Sequence, residues 1–311
     1  MSRAILALLA CVLATLARAG GPADAQQMPG PQGPPEEGGF HRQLWLIPIP
    51  GETILMRATV MRPSGSGPFP LAVLNHGSSQ NSERRAKLSV PDYPIASRWF
   101  LDRGYVVVLP LRPGHGETGG PYFEDQGRCD GADYHGAGLA TARSIRAAID
   151  DMTAQPFVRK TDVVAVGQSA GGWGALALAS GNSQAVKAVI NFAGGRGGRS
   201  DSKPNNNCSP ERLVATAAEF GHSARVPTLW LYSENDSFFA PALSRNMYEA
   251  FRAAGGRAEY HLLPPFGADG HRLIDMNDAA ALWVPIVETF LSERRSPPRN
   301  TMLQGGRWPL P

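Results

Sequence analysis

The feature that most restricts what this chain can fold into is an alternation of two patterns. Segments at 71–75, 105–109, 163–166, 186–192, 228–232 and 258–263 read as strands, and most of them are nearly continuous apolar runs. Between them, segments at 95–102, 137–152, 173–179, 241–254 and 279–293 have the spacing or composition of helices. A strand that is apolar at every position is covered on both faces. The chain is therefore expected to be an α/β protein, with a mostly parallel sheet and helices on both sides. Strands at 44–49 and 53–61, joined at Gly51 with no helix between them, give that sheet an antiparallel start. Ligands of such sheets bind beyond the carboxyl ends of the strands, so the loops leaving those ends are where chemistry is sought.

One of these loops is Gly167-Gln168-Ser169-Ala170-Gly171, set between the strand at 163–166 and the helix that follows. Gly-x-Ser-x-Gly in that setting reads as a nucleophile elbow rather than an ordinary tight turn. The turn strains the serine backbone and leaves no room for side chains at the flanking positions, hence the glycines. It carries Ser169 Oγ above the first turn of the next helix, whose free N–H groups suit an oxyanion.

Such a serine needs a base and an orienting acid, expected downstream in the order acid, then histidine. The strand at 228–232 runs into Ser233-Glu234-Asn235-Asp236, and the strand at 258–263 leads to Asp269-Gly270-His271. His271 is the candidate base and Asp236 its partner, with Glu234 a competitor and Asp269 readable as a turn former beside the histidine. The oxyanion would be held by the N–H groups of Ala170 and Ser78, the latter in the His76-Gly77-Ser78 loop after 71–75. His76 precedes the nucleophile in the chain and reads as packing beneath the site. Arg112-Pro113-Gly114-His115-Gly116 reads as turn chemistry near the cleft, and Trp173 as core. The sequence holds no dinucleotide fingerprint, phosphate-binding loop, HExxH or close Cys/His group, so no cofactor or metal is expected.

At 311 residues the chain can bury a large core without staples. Its net charge of +3 comes without a dense Lys/Arg run, which gives no case for nucleic acid as a partner. Arg3, the apolar run at 4–16, and the sites Ala17-Arg18-Ala19 and Ala23-Asp24-Ala25 read together as an export signal over 1–25. The expected product is periplasmic or secreted, with no stable membrane anchor. An uncleaved anchor helix and a lipid on Cys11 are the competing readings. The apolar run is short for a membrane span, and it continues past Cys11 through Val12, Leu13 and Leu16. Residues 26–40 are expected to form a disordered linker, 41–295 the folded body with a small cap insert at about 194–222, and 296–311 a tail. Cys129 and Cys208 remain after signal removal. Both lie in polar, loop-like stretches, and an oxidising compartment would let them pair, two free thiols being the alternative.

Through Asn75-His76-Gly77, Gly167 to Gly171, Asn235-Asp236 and Gly270-His271, the chain resembles the dienelactone hydrolase-like branch of the α/β hydrolases. Kinship extends to prolyl oligopeptidase-like catalytic domains, and the resemblance covers about 44–291. It implies an eight-stranded α/β-hydrolase fold, cofactor-free acyl transfer through a covalent intermediate, and small ester-type substrates. Dienelactone hydrolases proper carry a cysteine nucleophile where Ser169 stands, which turns the expectation from dienelactones toward serine esterases and lactone hydrolases. A serine peptidase or aminoacyl amidase is the first rival, although prolyl oligopeptidase-like enzymes usually carry a large accessory domain and few residues precede 44. A non-catalytic binding module on the same fold is the second, and it would have no use for an ordered Ser–Asp–His set.

Overall fold

The structure is a computed structural model that describes residues 27–89, 92–181 and 183–294. The expected signal at 1–25, with Cys11, and the tail at 296–311 lie outside the described residues. The strands are β1 (Gly30–Gln32), β2 (Gln43–Pro48), β3 (Leu55–Met61), β4 (Leu71–Asn75), β5 (Val106–Pro110), β6 (Val163–Gln168), β7 (Val186–Phe192), β8 (Thr228–Ser233) and β9 (Ala258–Leu263). They form one sheet in the order β1-β2-β3-β5-β4-β6-β7-β8-β9. Pairing is antiparallel from β1 through β3 to β5, and parallel from β5 to β9.

The helices are α1 (Ser82–Ala86), α2 (Pro94–Leu101), α3 (Tyr134–Thr153), α4 (Ala170–Ser180), α5 (Pro210–Ser223), α6 (Pro241–Ala253) and α7 (Ala280–Ser292). The two-sided burial read from the apolar strands is present. Val163 and Ala165 of β6 enter a core with Ile145 of α3, Trp173 of α4, Phe220 of α5 and Phe251 of α6. Val164 and Val166 enter a second core on the opposite face, with Phe100 of α2 and Trp283 and Phe290 of α7. Successive strand side chains point to opposite faces, so each apolar strand supplies both cores at once. Helix α4 is buried at every position from Ala170 to Ala179, which explains why it carries no polar stripe. Among the described residues no helix is long and apolar enough to cross a membrane.

Three expectations need correction. The sheet has nine strands rather than eight, because β1 lies inside the stretch expected to be a disordered linker. Pro31 pairs with Trp45 there, so backbone hydrogen bonding to an otherwise open edge orders a segment with little apolar content. The cap expected at 194–222 divides in two. Its second half is α5, whose Leu213, Ala217 and Phe220 pack into the main core, and only the part before Pro210 lies over the cleft. The helical spacing at 137–152 puts Leu139 on one apolar face with Ala142, Ile145 and Ile149, yet Leu139 is 44% exposed while the other three are buried. The face that is buried instead includes Tyr134, Ala137, Thr141, Ile145, Ala148 and Met152.

Candidate active site

Ser169 stands between the end of β6 and the first residue of α4, with φ 54° and ψ −121°. A non-glycine residue at positive φ costs of order 1–3 kcal/mol and persists only where its surroundings fix it. Here its N–H donates to the Phe192 carbonyl (3.0 Å), and its own carbonyl accepts from Trp173 (2.9 Å) and Gly195 (3.2 Å). The glycine requirement is steric. A Cβ on Gly167 would lie 2.2 Å from the Gly171 carbonyl oxygen, and one on Gly171 would lie 2.3 Å from that of Asn75.

The loop after β4 packs directly on this elbow, since a Cβ on Gly77 would meet Gln168 Oε1 at 2.5 Å and Ser169 Cβ at 3.2 Å. Ser78 and Ala170 line the same cavity as Ser169. Ala170 opens α4, so its N–H belongs to the first turn, which has no intrahelical acceptor.

His271 and Asp236 come together as their order in the chain suggested. His271 Nδ1 is 3.1 Å from both Asp236 carboxylate oxygens. Asp236 is buried, and its Oδ1 also accepts from the N–H groups of Phe238 (2.8 Å) and Phe239 (3.0 Å). A carboxylate facing Nδ1 favours the proton on that nitrogen and leaves Nε2 free to act as a base. His271 and Ser169 line one cavity. Among the described residues the Ser169 hydroxyl has no hydrogen-bond partner.

Glu234, the competing acid, is exposed. Asp269 takes a different part: its carboxylate accepts from the Ser237 hydroxyl (2.5 Å), the Ser237 N–H (3.0 Å) and the His271 N–H (3.1 Å). Burial opposes its charge, but those hydrogen bonds hold it below the usual carboxylate range. It staples the Asp236–Ser237 loop to the His271 loop.

Several residues of the site were given no role of their own by the sequence. Gln168 donates to the His271 carbonyl (3.1 Å). The Phe238 ring stacks on the His271 ring with centroids 4.0 Å apart. Asn235 ties down the histidine loop by accepting from the Phe266 N–H (2.9 Å) and donating to the Phe266 carbonyl (3.1 Å). From the sequence it entered only as part of the Asn235-Asp236 motif.

Beneath the site lies a buried polar cluster. His76 Nε2 accepts from the Arg112 N–H (3.1 Å), so its proton sits on Nδ1, facing the Gly77 carbonyl (2.6 Å). Burial and the Arg112 charge keep this ring neutral, well below the usual imidazole range. His115 Nδ1 faces the carbonyls of Arg112 and Pro113 (3.1 Å each), which leaves Nε2 to accept from the Ser78 hydroxyl (2.7 Å). Burial, aided by Arg112, lowers His115 to about 4. Glu124 is gripped by Arg112, through Nε and Nη2, and by Arg196 Nη2 at 2.7 Å. Although burial opposes ionisation, the two guanidinium groups hold its carboxyl well below the ordinary range. The Arg112 loop is thus more than a turn, because it braces the Ser78 loop from below.

Cys129 and Cys208 are bonded, with Cα atoms 5.1 Å apart. Among the described residues no group of three or more His, Cys, Asp or Glu side chains is placed to hold a metal ion.

A nine-stranded, mostly parallel sheet with a strand–serine–helix elbow at its centre and an Asp–His pair beyond the next strands defines an α/β-hydrolase fold. The chain belongs to the dienelactone hydrolase family, whose sequence profile matches residues 93–290. No curated protein sequence matches the chain significantly. Among solved structures it is similar to a putative dienelactone hydrolase from Klebsiella pneumoniae subsp. pneumoniae MGH 78578, at 18% identity and TM-score 0.54, covering 82% of this chain and 98% of that one. It is also similar to a cold-adapted esterase from an Arctic intertidal metagenomic library, at 16% identity and TM-score 0.57, covering 86% and 100%. Pyrococcus horikoshii acylaminoacyl peptidase matches at 14% identity and TM-score 0.59 over 85% of this chain, which spans 43% of that one. At such identities the likeness is one of fold. Membership of this family makes the protein a hydrolase.

Proposed function

We propose that the protein is an exported serine esterase acting on small ester or lactone substrates through an acyl-enzyme. The observation that carries this reading is the Asp236–His271 pair set in one cleft with a serine held at φ 54°. Ser169 Oγ attacks the substrate carbonyl carbon as His271 Nε2 takes the hydroxyl proton, and Asp236 stabilises the imidazolium. The N–H groups of Ser78 and Ala170 hold the oxyanion. Collapse of the tetrahedral adduct breaks the ester bond, and His271 gives its proton to the departing alkoxide. Water, deprotonated by His271, then attacks the acyl carbon and releases the acid and the free serine.

The cleft has two arms that meet at Ser169. His271, which protonates the leaving group, lines the arm with Tyr93 and Leu88, so this arm takes the alcohol part. Ala170 lines the other, with Gln126 and Phe239, and that arm takes the acyl part. Export is supported by the Cys129–Cys208 bond, since such bonds persist in oxidising compartments.

The test is covalent labelling by a fluorophosphonate, paired with phenyl acetate hydrolysis. Wild-type protein should label at Ser169 and turn over the ester, and Ser169→Ala should lose about 10⁴-fold or more of kcat. An unlabelled wild type, or a Ser169→Ala variant with wild-type turnover, overturns the reading. A preference for aminoacyl anilides over all esters would favour the peptidase rival instead.

A further inference from the structure

We infer that Gln126 is a substrate-recognition residue, whose side-chain amide binds a hydroxyl or amide group carried on the acyl part of the substrate. This rests on the esterase reading above, which makes the arm beside Ala170 the acyl site. Gln126 lines that cavity, of about 600 Å³, together with Ser169. The residue is only 4% exposed. Yet its amide, which offers two donors and an acceptor oxygen, forms no hydrogen bond to any described residue. Nor is it among the side-chain atoms sealed away from all solvent without a partner, so it borders the open cavity. Buried polar groups in folded proteins are almost always paired, and an exception calls for a specific cause.

The rest of Gln126 is fixed. Its carbonyl accepts from the Asp133 N–H (2.8 Å). Three residues on, Cys129 is bonded to Cys208. Two residues back, Glu124 is held by Arg112 and Arg196. The amide is thus a donor and acceptor presented in advance on a rigid wall, so little ordering cost remains when a ligand arrives. Ser79, Asn81, Arg199 and Ser200 continue the same wall. An alkyl chain would strip water from these groups and return no hydrogen bond. A chain bearing a hydroxyl or an amide would pair with them.

The test compares phenyl esters that differ by one group: 3-hydroxybutanoyl against 3-methylbutanoyl, and 5-hydroxyhexanoyl against 5-methylhexanoyl. In the wild type, kcat/KM should favour at least one hydroxylated member by about 10-fold or more, the worth of one well-made buried hydrogen bond. In Gln126→Met, which keeps the length of the side chain, that ratio should fall by a similar factor. Equal rates for both members of each pair in the wild type, or an unaltered ratio in Gln126→Met, overturns the inference. Because the wild-type comparison needs no variant, a Gln126→Met protein that fails to fold leaves the question decidable. Failure of the esterase reading is distinct: wild-type protein would then hydrolyse neither ester and leave fluorophosphonate unreacted.

Discussion

The side-chain amide of Gln168 donates to the backbone carbonyl of His271 at 3.1 Å, so the residue next to Ser169 holds the loop that carries His271. Its Oε1 end lies against Gly77, where a Cβ would come within 2.5 Å. One side chain thus sets the spacing of the Ser169 elbow, the Gly77–Ser78 loop and the His271 loop. Gln168→Leu should leave the protein folded, lower kcat by roughly 10–100-fold and change KM less, because a misplacement of about 1 Å can cost that much. Steady-state kinetics checks it, and wild-type kcat in that variant would reduce the bond to a packing detail.

Asp236 and Glu234 lie two residues apart but in opposite surroundings, one buried with three donors around it and the other exposed. Asp236→Asn should cut turnover by about 10⁴-fold by stabilising the wrong imidazole tautomer. Glu234→Gln should stay within a factor of a few. A reversal of these two outcomes would show that the acid had been assigned to the wrong residue.

The Ser169 elbow, the acid-then-histidine order and most strand positions were legible because each depends on local chemistry: a glycine-flanked turn, an apolar run, a strand end. Helix α5 was missed: Leu213, Ala217 and Phe220 stand at helical spacing behind Pro210, but the polar residues before them masked the change of pattern. Strand β1 could not be read, since its order comes from pairing with β2 and not from its own Gly-Pro-Gln sequence. The Arg112–Glu124–Arg196 cluster and the contact of Phe238 with His271 bring together residues 33 to 72 positions apart, apart from the Arg112–Glu124 pair at 12. Such contacts follow from the assembled fold and leave no local trace.

His115 ties its protonation to the stability of the whole body. Burial lowers its folded pKa to about 4, against an unfolded value near 6.5. Between those values the unfolded chain binds a proton that the native state does not, so stability falls as pH drops from about 6.5 to 4. Above 6.5 the contribution is fully present, and below 4 the loss levels off. One such group is worth of order 3 kcal/mol across the window, and His76 is shifted in the same direction. Melting temperatures of the wild type and His115→Gln from pH 7 to pH 4 test this. The variant should show the shallower decline, and parallel curves would remove His115 from the acid response.

The Cys129–Cys208 bond should stabilise the protein mainly through its unfolded state. The two residues are 79 apart in sequence, and closing a loop of that size is worth about 4–5 kcal/mol in the chain-entropy model. In the folded state other bonds hold the same junction: Ser209 Oγ donates to the Cys129 carbonyl at 2.5 Å, Tyr134 donates to the Cys208 carbonyl, and the Cys208 N–H donates to Gly197 at 2.8 Å. Removing the sulfur bridge therefore leaves the native contacts largely in place while enlarging the ensemble that competes with them. At roughly 2–4 °C per kcal/mol for a domain of this size, reduction should lower the melting temperature by about 10 °C or more. Cys208 also lines the cavity beside Ala170 that we propose takes the acyl group, so a loosened junction should raise KM for bulky acyl groups more than for acetyl. The double variant Cys129→Ser, Cys208→Ser should reproduce both effects without reductant. Equal melting of oxidised and reduced protein, with free thiols found by mass spectrometry in material made in an oxidising compartment, would remove the bond from the account.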